Sequence, residues 1–156
     1  MTTSVEAAFL SVLAALTTRA NQGDDVIPVP MRNAVLLESP DNQGRFLNVV
    51  DGDSIPRDEI MVGNGTDDEF ELAVTLEWSI SQAASGPRDA AFDAGMTGIA
   101  EALGQNAGGD RTLGGAVDYI RLVRVSRDDL ALDGFPSVKT AVLEFRITMT
   151  APSLIG

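Results

Sequence analysis

The chain has 156 residues, of which 44% are hydrophobic and 22% charged, so we expect one soluble globular domain with a sizeable core. Acidic residues outnumber basic ones by 23 to 11, and the net charge of −12 disfavours wrapping of nucleic acid and binding to anionic membranes. The absence of cysteine and histidine excludes disulfides, thiolate or imidazole metal sites and catalytic triads built on either residue.

The first predicted element is an amphipathic helix over residues 3–20, where apolar side chains recur at spacings of three and four. Thr3 and Glu6 have the spacing of a capping box. The apolar run 5–16 contains Glu6 and is too short to span a bilayer. We therefore expect neither a signal peptide nor a membrane anchor, and a protein kept inside a cell or packaged from there.

Two strands follow the helix. The segment 26–39 is predicted to be a strand, and Pro28 and Pro30, which cannot donate to a ladder, indicate either an edge position or an extended lead-in. Turn-forming residues at 39–44 lead into a second strand at 45–53. The pair is typical of a hairpin.

Residues 51–69 are predicted to form a long loop, with seven acidic residues against one arginine. Asp51 and Asp53 are similar to the start of a calcium loop, but the rest of the EF-hand spacing is missing. We therefore expect a solvated acidic loop with no metal and no cofactor.

The second half contains three further strands. Residues 70–80 alternate between apolar and polar side chains, which predicts a strand with one buried face and places Trp78 in the core. Strands are also expected at 116–126 and 137–151, and their short connection favours antiparallel pairing. The resulting fold class is α+β: a single, mainly antiparallel sheet of about five strands with two helices packed on one face.

The second helix is predicted over residues 85–106, with Gly104 placed to cap its C-terminus. Gly95 and Gly98 lower helix propensity by about 1 kcal/mol each relative to alanine. A close crossing with the sheet or the other helix would account for both glycines.

The segment 107–115 contains four glycines and raises the question of a phosphate-binding loop. Such a loop precedes a helix and ends in Gly-Lys-Ser/Thr, whereas here a helix precedes the glycines, a strand follows them and no lysine is present. The segment is better interpreted as a structural turn. Glycines 108 and 109 would end the helix, and the core-facing Leu113 would precede two further glycines, within the turn Thr112, Leu113, Gly114 and Gly115.

The segment 110–125, DRTLGGAVDYIRLVRV, resembles a segment of the tail terminator proteins of long-tailed, siphovirus-like bacteriophages. The opening helix, the stretch 46–59 with its Asp-Gly-Asp turn, the alternating strand, the second helix and the last strand ending in TMTAP extend the resemblance over almost the whole chain.

The resemblance implies a structural virion protein without catalytic residues. Tail terminators form a six-membered ring at the head-proximal end of the tail, stop polymerisation of the tail tube and join it to the head. The implied partners are further copies of the chain, the tail tube protein and the head connector or stopper protein. DNA would pass through the channel without specific binding, and assembly would occur in the host cytoplasm.

A ring subunit needs contacts between copies, and arginines in a strongly acidic chain are candidates for pairing with carboxylates of a neighbour. The arginines considered are Arg32, Arg57, Arg88, Arg111, Arg121 and Arg124, and intrachain or solvated charges are at least as good an interpretation for each of them. The cluster in the expected loop is the first choice. The candidate interface residues are Arg57, Asp58, Glu59, Asp51, Asp53 and Arg111.

Three other functions remain open at this point. A head-completion or connector ring of similar size would share these features. An adaptor acting by strand addition would use the proline-led edge strand. A small carboxylate-based enzyme would need Asp51, Asp53 and Asp118 to converge, although no cofactor motif accompanies them.

Overall fold

The computed structural model describes residues 4–34, 44–62, 67–82, 85–130 and 137–151, and the side chains of these residues except 56–62, 67–68, 85, 130 and 151. It consists of two helices and one open, mostly antiparallel sheet of five strands, which confirms the predicted α+β class. The strand order across the sheet is β1-β2-β3-β5-β4.

Helix α1 spans Val5–Ala20 and begins one residue later than a cap at Thr3 would require. The Ser4 hydroxyl accepts a hydrogen bond from the Ala7 amide at 3.0 Å and is the N-cap. Glu6 instead bonds to Arg32, so it does not complete a capping box. The predicted apolar face is confirmed, since Phe9, Val12 and Leu16 are buried.

The predicted hairpin between the first two strands is wrong. Strand β1 is only Met31–Arg32, and it pairs parallel to β2 at the edge of the sheet. Extension stops because Asn33 turns into the left-handed region and the buried Asn48 side chain bonds to both the amide and the carbonyl of Ala34. The edge position expected from the prolines is confirmed.

The expected loop at 51–69 is also wrong over its described part. Strand β2 runs through it as Arg45–Val62, and β3 returns as Asp67–Gln82, so the two form one long antiparallel hairpin with register shifts after Asp51 and after Pro56. The backbone groups of this stretch pair with β3, which an acidic composition does not prevent.

Strand β4 covers Tyr119–Leu130 and β5 covers Ser137–Ala151. The prediction for β5 is confirmed at both ends, and β4 lies a few residues later than predicted. β5 lies between β3 and β4 and pairs antiparallel with both. Strand β4 therefore forms the opposite edge of the sheet from β1.

Both helices contribute to a single core on one face of the sheet. Helix α2 spans Ser85–Ala102, and Gly104 follows it with φ of +67°, so the glycine cap is confirmed while the expected extension to residue 106 and the role of glycines 108 and 109 are wrong. The buried ring of Trp78 stacks with Phe92 at 6.4 Å. A Cβ at Gly95 would approach the Trp78 ring to 2.2 Å, which explains this glycine by the close crossing of helix and sheet.

Candidate functional site

The predicted site residues lie at opposite edges of the sheet. Asp51 and Asp53 belong to β2, whereas Arg111 precedes β4. Two strands separate β2 from β4, and at the usual strand spacing this corresponds to roughly 14 Å. The three aspartates proposed for a carboxylate enzyme do not converge either, since Asp118 bonds to Thr148 of β5 on the far side of β3.

Asp51 belongs to an ion-pair network that links helix α1 to the sheet. The Arg32 guanidinium bonds to Asp51 through two nitrogens at 3.0 and 2.7 Å, and to both oxygens of Glu6. It also lies 5.3 Å from the centre of the Phe9 ring. The hydrogen bonds from Arg32 lower the pKa of Glu6, and the two carboxylates raise the pKa of Arg32. The arrangement is structural, because both oxygens of each carboxylate face the same guanidinium.

The remaining residues of the acidic group have different surroundings. Asp53 is exposed on β2 beside Gly52, in the irregular stretch between Asp51 and Ser54. The side chains of Arg57, Asp58 and Glu59 lie outside the described residues, although their backbone belongs to β2. The first-choice interface cluster therefore stays a prediction.

The turn before β4 is organised by Asp110. Its carboxylate accepts hydrogen bonds from the Thr112 amide and hydroxyl at 2.8 and 2.6 Å, and from the Gly114 amide at 2.8 Å. These bonds, led by the one from the Thr112 hydroxyl, lower the pKa of Asp110. The two carboxylate oxygens of Asp110 thus accept all three hydrogen bonds and close the turn.

The same turn requires unusual backbone angles, as the glycine pattern predicts. Leu113, Gly114 and Gly115 have φ values of +50°, +71° and +88°. The Gly115 amide donates to the Thr112 hydroxyl at 3.0 Å, and Leu113 packs against the core. The structural interpretation of this segment agrees with these contacts.

Arg111 links the turn to the first residues of β4. Its guanidinium donates to the Tyr119 hydroxyl at 3.0 Å and lies 5.7 Å from that ring. The Arg111 carbonyl accepts from the Ile120 amide, and the Gln105 side chain bonds to the Ile120 carbonyl and the Leu122 amide. Backbone groups at the start of the β4 edge are therefore already satisfied by the preceding loop.

Strand β4 also holds Arg121 and Arg124, two of the arginines that the sequence analysis considered for subunit contacts. Its residues from Arg121 to Asp129 are exposed apart from the half-buried Val125. Leu122 and Val123 keep 39% and 46% of their surface in solvent. The spacing of three between the strand's arginines was visible in the sequence, but the exposure follows from the edge position, which the sequence did not reveal.

The arginines of the chain differ in whether they have acidic partners. Arg32 pairs with Glu6 and Asp51, and Arg88 pairs with Asp89. On β4, Arg121 lies 3.4 Å from Glu71. Among the described side chains, no carboxylate forms an ion pair with Arg124 or Arg127, both of which are exposed.

Beside this edge lies an apolar groove of about 260 Å³ between β4, β5 and α2, lined in part by Met96, Leu122, Val125 and Phe145. A wider, more polar cleft of about 580 Å³ separates α1 from the Asp110 turn. The buried Arg19 borders that cleft and bonds to Asp24 and Glu101, which raises its pKa.

Neither ion sites nor membrane spans are found in the described ranges. No group of three acidic side chains there could hold a metal ion, and neither helix is long and apolar enough to cross a membrane. No protein-family model matches the chain, and no curated protein matches it significantly.

Proposed function

We propose that the chain is a tail terminator: a structural virion protein that forms a ring at the head-proximal end of a phage tail, ends growth of the tail tube and offers the surface for joining the head. The observation that carries the proposal is the resemblance of the segment 110–125, together with the element order that surrounds it.

The geometry supports the proposal at that segment. The turn formed by Asp110, Thr112 and Gly114 is closed by its own hydrogen bonds and packs Leu113 against the core. It sets the start of β4 at one edge of the sheet. A turn of this kind is a scaffold for an edge strand and leaves that strand available for contacts with other proteins.

The charge supports the proposed passage of DNA. Each subunit contributes a net charge of −12, so a ring would carry a strong negative field. Phosphates would gain no counterion release from such a surface, and adhesion would be low at any sequence. A connector ring would have the same property, so the position in the particle distinguishes the two assignments.

The decisive experiment uses the tail tube protein encoded in the same genome. Tubes are polymerised alone and with increasing amounts of the chain, and their lengths and ends are measured by negative-stain electron microscopy. A terminator shortens the tubes in proportion to its amount and adds density at one end. Tube lengths that do not change, with no chain at either end, would refute the proposal, and binding to the head portal alone would favour a connector.

A further inference from the structure

We propose that copies of this chain join edge to edge, with β4 of one copy, from Arg124 onward, lying against β2, near Asp53, of the next. The partner is thus a second copy of the chain, and the contact continues the sheet from subunit to subunit. The inference rests on the proposed function for the number of copies, and on the two sheet edges for the contact itself.

The β4 edge carries charges of both signs: Arg121, Arg124 and Arg127 lie along it and are followed by the exposed Asp128 and Asp129. Gln105 and Arg111 cover its backbone only as far as Leu122. Beyond the bulge at Val123, β4 pairs with β5 on one side, and no described strand pairs with its other side. Arg124 and Arg127 are exposed there, and no described carboxylate forms an ion pair with either, although Glu144 of β5 lies opposite Arg124 in the strand register.

The β2 edge is complementary to it. Strand β1 covers β2 only at Asn48 and Val49, so the stretch that follows has no described strand beside it. This stretch presents Asp53, which is exposed, and Ile55, which keeps 48% of its surface in solvent. It therefore offers an acidic side chain to the arginines of β4 and an apolar side chain to the exposed hydrophobic residues of β4.

The apolar parts of the two edges add to the charge complementarity. Val123 and Leu122 are large exposed hydrophobic side chains on β4, and Leu122 also lines the groove under α2. The groove has room for a side chain of an adjoining strand. The arginines and the bulge restrict this edge, since charges and bulges are the means by which natural sheets prevent indiscriminate strand addition. A neighbouring strand that supplies a carboxylate would add to the compensation that Glu144, opposite Arg124, can give.

The placement of the two surfaces also determines the kind of assembly. They lie at opposite edges of one sheet, so a contact between them is heterologous. Two joined copies therefore still have one free β4 edge and one free β2 edge. Repetition of such a contact closes into a ring when the rotation per subunit permits. An isologous pairing of two β4 edges would instead bring the arginines of both copies together.

The test is a charge reversal with a charge exchange. Arg124→Glu and Asp53→Arg are prepared singly and together, with Arg146→Glu on β5 and Asp93→Arg on α2 as controls of equal charge change. Circular dichroism verifies folding. Native mass spectrometry over a concentration series, repeated on tube ends, gives the concentration of half-assembly. Each single reversal should raise it roughly tenfold or more, because a close charge pair becomes a repulsion.

The double variant should have a concentration of half-assembly within a few-fold of that of the original chain. The two control variants should also stay close to the original value. Unchanged assembly in both single variants would overturn the edge contact while leaving the terminator proposal intact if tubes are still capped. Edge-dependent rings that never cap tubes would overturn the terminator proposal alone. A chain that stays monomeric with and without tubes would overturn both.

Discussion

Single residues fix the relation between helix and sheet in this fold. Gly95 lies against Trp78, whose indole nitrogen donates to the Phe92 carbonyl at 3.2 Å. The only tryptophan of the chain is thus held by a hydrogen bond, a ring contact and a helix backbone at close range. This contact decides how near α2 can approach β3, and so how much of β4 it leaves uncovered.

Adding one methyl group at this contact should destabilise the protein. Gly95→Ala gains about 1 kcal/mol of helix propensity. The overlap with the Trp78 ring costs more, and we expect a net loss of about 1–3 kcal/mol, as for other overpacked cores. Chemical denaturation followed by circular dichroism measures the difference.

Gly86→Ala is the matched control, since a Cβ at this exposed position of the same helix meets no atom within 4 Å. It should leave stability unchanged or raise it by up to about 1 kcal/mol. Equal effects of the two substitutions would contradict the close crossing.

The Asp110 turn should be recognisable by its pH dependence. Asp110 has a lowered pKa in the folded protein, so its contribution to stability is present above the unfolded value of about 4 and disappears as pH falls through the folded value. Asp110→Ala removes that contribution. The difference in unfolding free energy between the original chain and the variant should be largest above pH 5 and shrink below about pH 4.

Denaturation at a series of pH values provides the measurement, with Asp93→Ala as the control. Asp93 is exposed on α2, and the described residues give it no hydrogen bond. A difference for Asp110→Ala that stays constant from pH 7 to below pH 3 would show that the turn does not depend on the ionised carboxylate.

At the scale of elements, the sequence predicts the strands that alternate between apolar and polar residues and the helix end that carries a capping glycine. Strand β5 and the central part of β3 follow from alternating burial, and Gly104 marks the end of α2. The acidic continuation of β2 was not predictable in this way. Its backbone pairs with β3, but neither alternation nor a cap marks the stretch in the sequence.

The short β1 is another such case. Val26–Val29 and the residues after them have strand-like composition, but Asn48 on β2 determines where pairing stops. The importance of Asn48 is a tertiary property, since its partners Ala34 and Glu77 are distant in the chain. The candidate site has the same limitation: the arginines of β4 are visible in the sequence, but their edge position is not.

Asn48 should therefore be required for the edge at β1. Asn48→Ala leaves two backbone groups of Ala34 without their buried partner, and we expect a loss of about 1–3 kcal/mol of stability. The amide of Ala34 should also lose its protection against hydrogen exchange. The exposed Asn21 supplies the control, and Asn21→Ala should affect neither quantity by a comparable amount.

At the scale of the whole molecule, the sheet has two edges of different chemistry. One edge presents Asp53, and the other combines Arg124 and Arg127 with exposed apolar residues and with Asp128 and Asp129. The helices cover one face and the edges stay available, which is the arrangement a repeating contact requires. A net charge of −12 on each copy opposes association at long range, so the proposed ring requires short-range complementarity at the edges to outweigh this repulsion.

The central claim is that the chain forms a closed ring of six copies that caps a tail tube. Native mass spectrometry of the purified chain over a concentration series, alone and in the presence of tube ends, tests it most directly. The account predicts a discrete six-copy species, either in solution or recovered from the tube ends, and no open series of larger oligomers. Monomers under both conditions, or an open ladder of sizes, would contradict it.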